Sequence, residues 1–206
     1  MPRMAKRETR PPITNYAYRV VRGRMATATP QHVVRFSSEP LFGYEQRIQR
    51  VWAMPKSDAT RMQPVNQLLV EEMGDDEGWV DTLFSSPRSG YAPDALRLHP
   101  SGAMDGVVLN PPITFKQAER YIKSFGKTWD GRTSWWKVLK DEASRVIRPG
   151  GKCISIGWDS NGLGKNRGFL MERILIVAHG GHWRDTLVLV ERKDENAPAD
   201  NRDELV

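Results

Sequence analysis

The chain has 206 residues, of which 39% are apolar, with a net charge of +6 and a sequence pI of about 9.6. This length suffices for one domain with a sizeable core, and the positive charge favours an anionic partner, nucleic acid first. The single cysteine, Cys153, excludes an intramolecular disulfide and a zinc site built from cysteines. No run approaches the ~20 apolar residues that span a bilayer, and no apolar segment follows the charged N-terminus. We therefore expect a soluble, cytoplasmic protein.

The two ends of the chain differ in composition from its middle. Residues 1–45 are rich in Arg, Pro, Thr and Ser and show no sustained period, which predicts a basic arm or extension; a disordered tail is the alternative. An arginine-rich arm could follow a phosphate backbone. Residues 194–206 are polar and acidic, and we expect them to be disordered. Residues 46–193 remain as the folded domain.

The middle of the chain predicts helices and strands in alternation. Helical spacing of apolar residues predicts one helix over Pro64–Met73 and another over Ser134–Ile147, with Trp136 on the buried face of the second. A turn is expected at Arg148–Gly151. Short apolar runs predict strands, and the last two are joined by a Gly-Gly turn into an antiparallel hairpin. These runs are Gly78–Phe84, Asp105–Asn110, Lys152–Trp158 and the two halves of Met171–Lys193.

Strands that alternate with helices imply an α/β fold with a mostly parallel, Rossmann-like sheet. In such a sheet, ligands bind outside the carboxyl ends of the strands. The segment "DGVVLNPPITF" places Asn110 at that end of a strand, since Pro111 and Pro112 cannot continue the ladder. The Asn110 amide oxygen and a proline carbonyl would form a pair of acceptors. Such a pair suits both hydrogens of an exocyclic amine and would favour attack of its nitrogen on an electrophilic methyl group.

At these residues the sequence resembles the phage-type, S-adenosylmethionine-dependent DNA adenine methyltransferases, which have the class I methyltransferase fold. The resemblance covers more than half of the chain, in four segments: "RVWAMPKSDAT", "DGVVLNPPIT", "RVIRPGGKCISIGWDSNGLGKNRGF" and "ERILIVAHGGHWRDTLVLVERK". It implies methylation of adenine N6 in double-stranded DNA. The catalytic residues it implies are Asn110, Pro111, Pro112 and Ile113. The cofactor-binding residues it implies are Met54, Asp81, Phe84, Ser85 and Asp94.

Three positions depart from the pattern of that family. The fourth catalytic position, aromatic in the family and stacked on a flipped-out base, is Ile113, although Phe115 lies two residues further on. The glycine-containing turn after the first strand is replaced by Ser85-Ser86-Pro87. Too few residues separate Asp81 from Asn110 for a complete βαβ unit of about 30 residues. We therefore expect a missing or shortened second strand, and S-adenosylmethionine binding that is weak or lost.

Two loops are further candidates for contact with nucleic acid. "WDSNGLGKNRGF" offers Lys165 and Arg167 to the DNA backbone, with a plain connection as the alternative. "HGGHWRD" offers His182 and Arg184; a metal site here is disfavoured, because two histidines lack a third ligand. Three functions stay open: an active DNA adenine methyltransferase, a catalytically silent DNA- or protein-binding module of the same fold, and a methyltransferase acting on RNA or another amine.

Overall fold

A computed structural model describes residues 47–74, 77–83, 92–112, 114–128 and 134–196. The predicted basic arm, Phe84, Ser85, Ile113 and most of the predicted acidic tail lie outside these residues, so the division of the chain into three parts stays a prediction. None of the helices in the described ranges is long and apolar enough to cross a membrane. The six strands are β1 (Arg47–Trp52), β2 (Trp79–Leu83), β3 (Met104–Asn110), β4 (Ile147–Gly157), β5 (Phe169–Ala178) and β6 (Thr186–Lys193). The four α-helices are α1 (Gln63–Met73), α2 (Ala92–Arg97), α3 (Phe115–Ser124) and α4 (Ser134–Val146).

The strands form one mixed sheet in the order β1-β5-β6-β4-β3-β2. Three neighbouring pairs are parallel, and β6 pairs antiparallel with both β4 and β5, so β6 alone runs against the other five. The fold is therefore the predicted one: a mostly parallel, Rossmann-like α/β sheet with a C-terminal antiparallel hairpin. In the described part of the chain, α2 is the only regular element between β2 and β3, in agreement with a missing or shortened second strand.

Helices cover both faces of the sheet. Helix α1 buries Val65, Leu68 and Leu69 against one face, where Val108 and Ile154 belong to the same apolar cluster. The other three helices pack on the opposite face around Val107 and Leu109, and we call this the α4 face. Side chains alternate between faces along a strand, so both faces of β3 are buried and its sequence is a continuous apolar run.

Two local predictions need correction. Arg148–Gly151 is not a turn ahead of a strand, because β4 already begins at Ile147 and pairs there with Met104 before the register shifts to Gly106 with Lys152. The extra residues bulge out of the strand, with Gly150 at φ 74°. On α4, Trp135 is buried and Trp136 is only half-buried. Both tryptophans are followed by apolar residues at helical spacing, so periodicity alone does not show which of the two is buried.

The crossover from β4 to β5 runs along the α4 face to the opposite edge of the sheet. Buried Glu191 of β6 accepts backbone hydrogen bonds from Leu163 and Gly164 at 2.7 and 2.9 Å. A Cβ on Gly162 would lie 2.0 Å from a Glu191 carboxylate oxygen, so this glycine makes room for the carboxylate. Arg167 donates to Asp141 of α4 at 2.8 Å. These contacts give the glycine-rich loop a structural role as a fixed connection.

Candidate functional site

The carboxyl ends of five strands meet at one edge of the sheet. Trp52 at the end of β1 pairs with Ala178 at the end of β5, and Leu83 at the end of β2 pairs with Asn110. Leu109 pairs with Ser155, two residues before the end of β4. The turn between β5 and β6 starts at this edge, which we call the carboxyl edge.

Asn110 is the last residue of β3 and is 9% exposed. Pro111 and Pro112 follow it, lack an N–H to donate, and therefore end the ladder at that residue. None of the described residues hydrogen-bonds its side-chain amide. Because side chains alternate along a strand, Asn110 lies on the α1 side of the sheet, as Val108 does, and Leu109 lies on the α4 side. Asn110 and Pro111 therefore lie at the boundary between the two faces of the sheet.

A cavity of about 580 Å³ opens on the α4 side of this edge, within the range typical of small-molecule sites. Leu109 and Pro111 form part of its wall, beside the end of β4. Its aromatic lining consists of Phe115, Trp136 and Trp158. Phe115 is the first residue of α3 and is 62% exposed. Its aromatic ring therefore forms part of the cavity wall at the start of the helix.

The α3 segment that carries Phe115 is fixed by a capping box. Thr114 Oγ1 accepts a hydrogen bond from the Gln117 backbone N–H at 3.2 Å, and the Gln117 side chain accepts from the Thr114 backbone N–H at 3.0 Å. This reciprocal pair satisfies two backbone donors at the start of the helix. The "TFKQ" sequence signals such a cap, so α3, which the periodicity did not predict, was detectable from the sequence.

Charged groups line the same cavity. Lys140 donates to the Asn161 carbonyl at 2.7 Å, and Asp159 and Arg184 are also part of the wall. Burial, with the positive charge of Arg167 nearby, holds the pKa of Lys140 below its usual value. The Arg184 guanidinium carbon lies 4.9 Å from the centre of the Trp158 ring, a cation–π contact. The cavity therefore combines aromatic faces with two cations and one carboxylate.

The predicted cofactor residues divide between the two faces. Asp81 shares the α1 side with Trp79 and pairs with Val108, so it lies on the same face as Asn110 but two positions further back from the edge. Met54 follows β1 at the carboxyl edge and is 60% exposed. Asp94 belongs to α2 on the α4 face, where it forms ion pairs with Arg97 and Lys127. Its predicted role at the adenine of the cofactor stays a prediction.

The residues predicted to contact nucleic acid also lie in two separate places. His182 and Arg184 are exposed in the turn at the carboxyl edge. Lys165 and Arg167 form a short 3-10 helix next to the start of β5, at the opposite edge. The structure therefore brings only His182 and Arg184 to the same edge as Asn110. The DNA contacts of all four residues stay predictions.

His179 fixes the β5–β6 turn to the segment after β1. Its Nδ1 lies 2.7 Å from the Ala53 carbonyl oxygen, and its Nε2 lies 2.9 Å from Thr186 Oγ1. A carbonyl oxygen only accepts, so Nδ1 donates to Ala53, and Nε2 shares a second hydrogen bond with the Thr186 hydroxyl. Buried His179 therefore holds Trp52 and Met54 close to the turn. Sequence analysis missed this residue, because nothing in its local pattern distinguishes it from His182.

No protein-family model matches the chain, and no curated protein matches it in sequence. Several solved structures are similar in fold. TrmN from Thermus thermophilus is 20% identical over 50% of this chain and 27% of its own, with a TM-score of 0.34. The candidate DNA modification methylase TTHA0409 of Thermus thermophilus is 17% identical over 56% of this chain and 57% of its own, with a TM-score of 0.35. The candidate methylase HI0767 of Haemophilus influenzae is 12% identical over 70% of this chain and 72% of its own, with a TM-score of 0.30.

The chain thus spans about a quarter of the first of these structures and a little over half of the second. Similarities of this extent do not identify an activity. The function is therefore inferred from the residues at the carboxyl edge.

Proposed function

We propose that this protein transfers a methyl group from S-adenosylmethionine to the exocyclic N6 amine of adenine in DNA. One observation carries the proposal: Asn110-Pro111-Pro112 ends β3, an interior strand of the sheet, at the carboxyl edge, beside a cavity of about 580 Å³ with aromatic walls. The two sides of this edge suit two ligands. The target base fits the cavity on the α4 side, and the methyl donor fits the α1 side, where Asp81 and Asn110 share a face.

In this proposal, the protein promotes the reaction by orienting the target amine. The Asn110 side-chain oxygen and the Pro111 carbonyl accept hydrogen bonds from the two amine hydrogens and turn the nitrogen lone pair towards the α1 side. When bound, the donor supplies an electrophilic methyl group. Phe115 stacks on the base and holds it at the edge, the role that an aromatic residue at position 113 would have had. After methyl transfer, the amine gives up one proton, for which solvent suffices.

The described residues fit only part of the methyl donor. Met54, Asp81 and Asn110 suit its reactive end. A carboxylate at the end of a second strand, which would hold the ribose hydroxyls, is not found in the described ranges. Asp94 does not replace it, because α2 holds this side chain on the opposite face of the sheet. We therefore expect methylation to require high donor concentrations.

The proposal is tested by Asn110→Ala in an assay that follows transfer of a tritiated methyl group to adenine-containing DNA at saturating donor. We expect turnover to be lost, with Tm and DNA affinity close to those of the unchanged protein, because the Asn110 amide holds no described partner. Asn166→Ala, which removes an exposed asparagine from the crossover, is the matched control and should keep full activity. Undiminished turnover in Asn110→Ala would refute the assigned role.

A second candidate is a binding module without catalysis. It is favoured by the position of β2 as the outermost strand of the described sheet, which leaves no described strand to support the ribose. DNA binding without any methyl transfer, even at high donor concentration, would select this candidate.

A further inference from the structure

Three exposed tryptophans lie along the carboxyl edge. Trp52 is 64% exposed, Trp183 is 57% exposed and Trp158 is 36% exposed. We call them the tryptophan row. They follow strands β1, β5 and β4, which span three inter-strand spacings, or about 14 Å at ~4.8 Å each. Single exposed apolar residues are common on protein surfaces, but several large aromatic rings along one edge form a patch of the kind that marks an interaction surface.

Contacts link the members of the row to the β5–β6 turn and to the cavity. The Trp52 indole nitrogen lies 3.6 Å from the position that a Cβ on Gly180 would take, so the ring lies against the β5–β6 turn. In that turn, Trp183 is stacked on His182, with ring centres 5.1 Å apart and planes inclined by 27°. Arg184, the next residue, lies over Trp158, which lines the cavity. The β5–β6 turn therefore connects the row to the cavity beside Asn110.

We infer that the tryptophan row binds an unpaired nucleic acid strand, with bases stacked on the indole faces. This inference deepens the proposed function, because it names the form in which the nucleic acid reaches the cavity. Every unpaired base offers a flat π face, and stacking on aromatic side chains is the usual means of binding single strands. The bases of an intact duplex are stacked on each other and cannot reach these rings.

The charges near the row favour a single strand over a duplex. A duplex is held mainly through its phosphates by clusters of lysine and arginine. Here the turn contributes one arginine, Arg184, while Asp159 and Asp185 lie close by and would repel phosphates. Lys140, which also lines the cavity, and Arg184 are balanced by these two carboxylates, so the site suits a ligand that is bound chiefly by stacking. His179 contributes by holding Ala53, and so Trp52, against the turn in a fixed arrangement.

The test compares the affinity of the full chain for a labelled adenine-containing single strand and for the same sequence as a duplex, without methyl donor. We expect the single strand to bind at least tenfold more tightly and to quench tryptophan fluorescence. Trp183→Ala and Trp52→Ala should each weaken single-strand binding by about tenfold without lowering Tm, since both rings are exposed. Leu98→Ala, which removes an 85% exposed apolar side chain near the opposite edge, should change nothing.

Equal or tighter binding of the duplex, or variants that bind the single strand as well as the unchanged protein, would overturn the inference. Competition by inorganic polyphosphate as effective as that by the single strand would also overturn it, because it would indicate attraction by charge alone. Binding is measured without methyl donor, so loss of methylation in a separate assay would refute the proposed function and leave this result standing.

Discussion

In the proposed function, Phe115 is the residue that stacks on the target base. Its ring borders the cavity, and stacking on a base contributes roughly 1–3 kcal/mol. Phe115→Ala should therefore raise the KM for DNA by about tenfold or more, with a smaller change in kcat and little change in Tm, since the ring is mostly exposed. Steady-state methylation kinetics measure this, and Phe115→Trp should restore the KM. An unchanged KM in the alanine variant would exclude stacking by Phe115.

A substitution of Gly162 tests the structural role of the crossover at the scale of a single residue. A methyl group at this position would meet the Glu191 carboxylate, which is 2% exposed and already bound by two backbone N–H groups. We expect Gly162→Ala to lower the free energy of unfolding by about 1–3 kcal/mol, the usual cost of overpacking a buried site. Urea denaturation measures the loss. Gly157→Ala is the control, because the nearest atom to its new Cβ would be 4.0 Å away, and it should be nearly neutral.

At the scale of elements, the sequence predicted the helices and strands that a local pattern of apolar residues determines. Apolar periodicity was sufficient for α1, α4, β3 and the β5–β6 hairpin, because each buries a regular stripe or run. The bulge at Arg148–Gly151 was not predictable, since its geometry depends on pairing with β3 rather than on its own residues. Asn110 could likewise be placed at the end of a strand and Asp81 within the preceding strand, but the separation of Asp94 from them required the packing of α2.

Helix α1 is tied to the sheet by a network of charges whose strength depends on pH. Glu72 accepts a hydrogen bond from Lys152 of β4 at 2.7 Å and from Arg173 of β5 at 3.2 Å. Burial alone would raise the pKa of Glu72, but these two cations outweigh burial and hold its pKa below the usual 4.5. A carboxylate with a lowered pKa stabilises the fold at pH values above 4.5, and this contribution is lost as the pH falls through its folded-state pKa.

Glu72→Gln should therefore destabilise the protein at neutral pH by about 1–3 kcal/mol, as expected for hydrogen bonds to charged groups. The difference from the unchanged protein should shrink as the pH falls below the pKa of Glu72. Urea denaturation over a series of pH values measures both. Glu71→Gln removes a neighbouring carboxylate that is 44% exposed and should have a smaller effect. A difference that stays constant down to strongly acidic pH would contradict the assigned charge interaction.

At the scale of the whole molecule, the sheet extends on the side of β1 and is short on the side of β2. Strand β1 adds to β5 at one margin, while β2 forms the other margin of the described sheet with no described strand beyond it. The side that is complete carries the tryptophan row and the cavity. The side that is short is the one where the ribose of the methyl donor would be held. In the proposed function, the described part of the sheet therefore supplies more of the nucleic-acid site than of the cofactor site.

We accordingly predict weak binding of S-adenosylmethionine by the isolated protein. A ribose carboxylate typically accepts two hydrogen bonds, and each bond to a charged group contributes roughly 1.5–3 kcal/mol. Their absence should weaken affinity by a factor on the order of 100 or more, since 1.4 kcal/mol corresponds to tenfold. Titration calorimetry of the full chain should therefore give a Kd well above micromolar. Micromolar or tighter binding would mean that residues outside the described ranges hold the ribose, and would make a fully active enzyme the stronger conclusion.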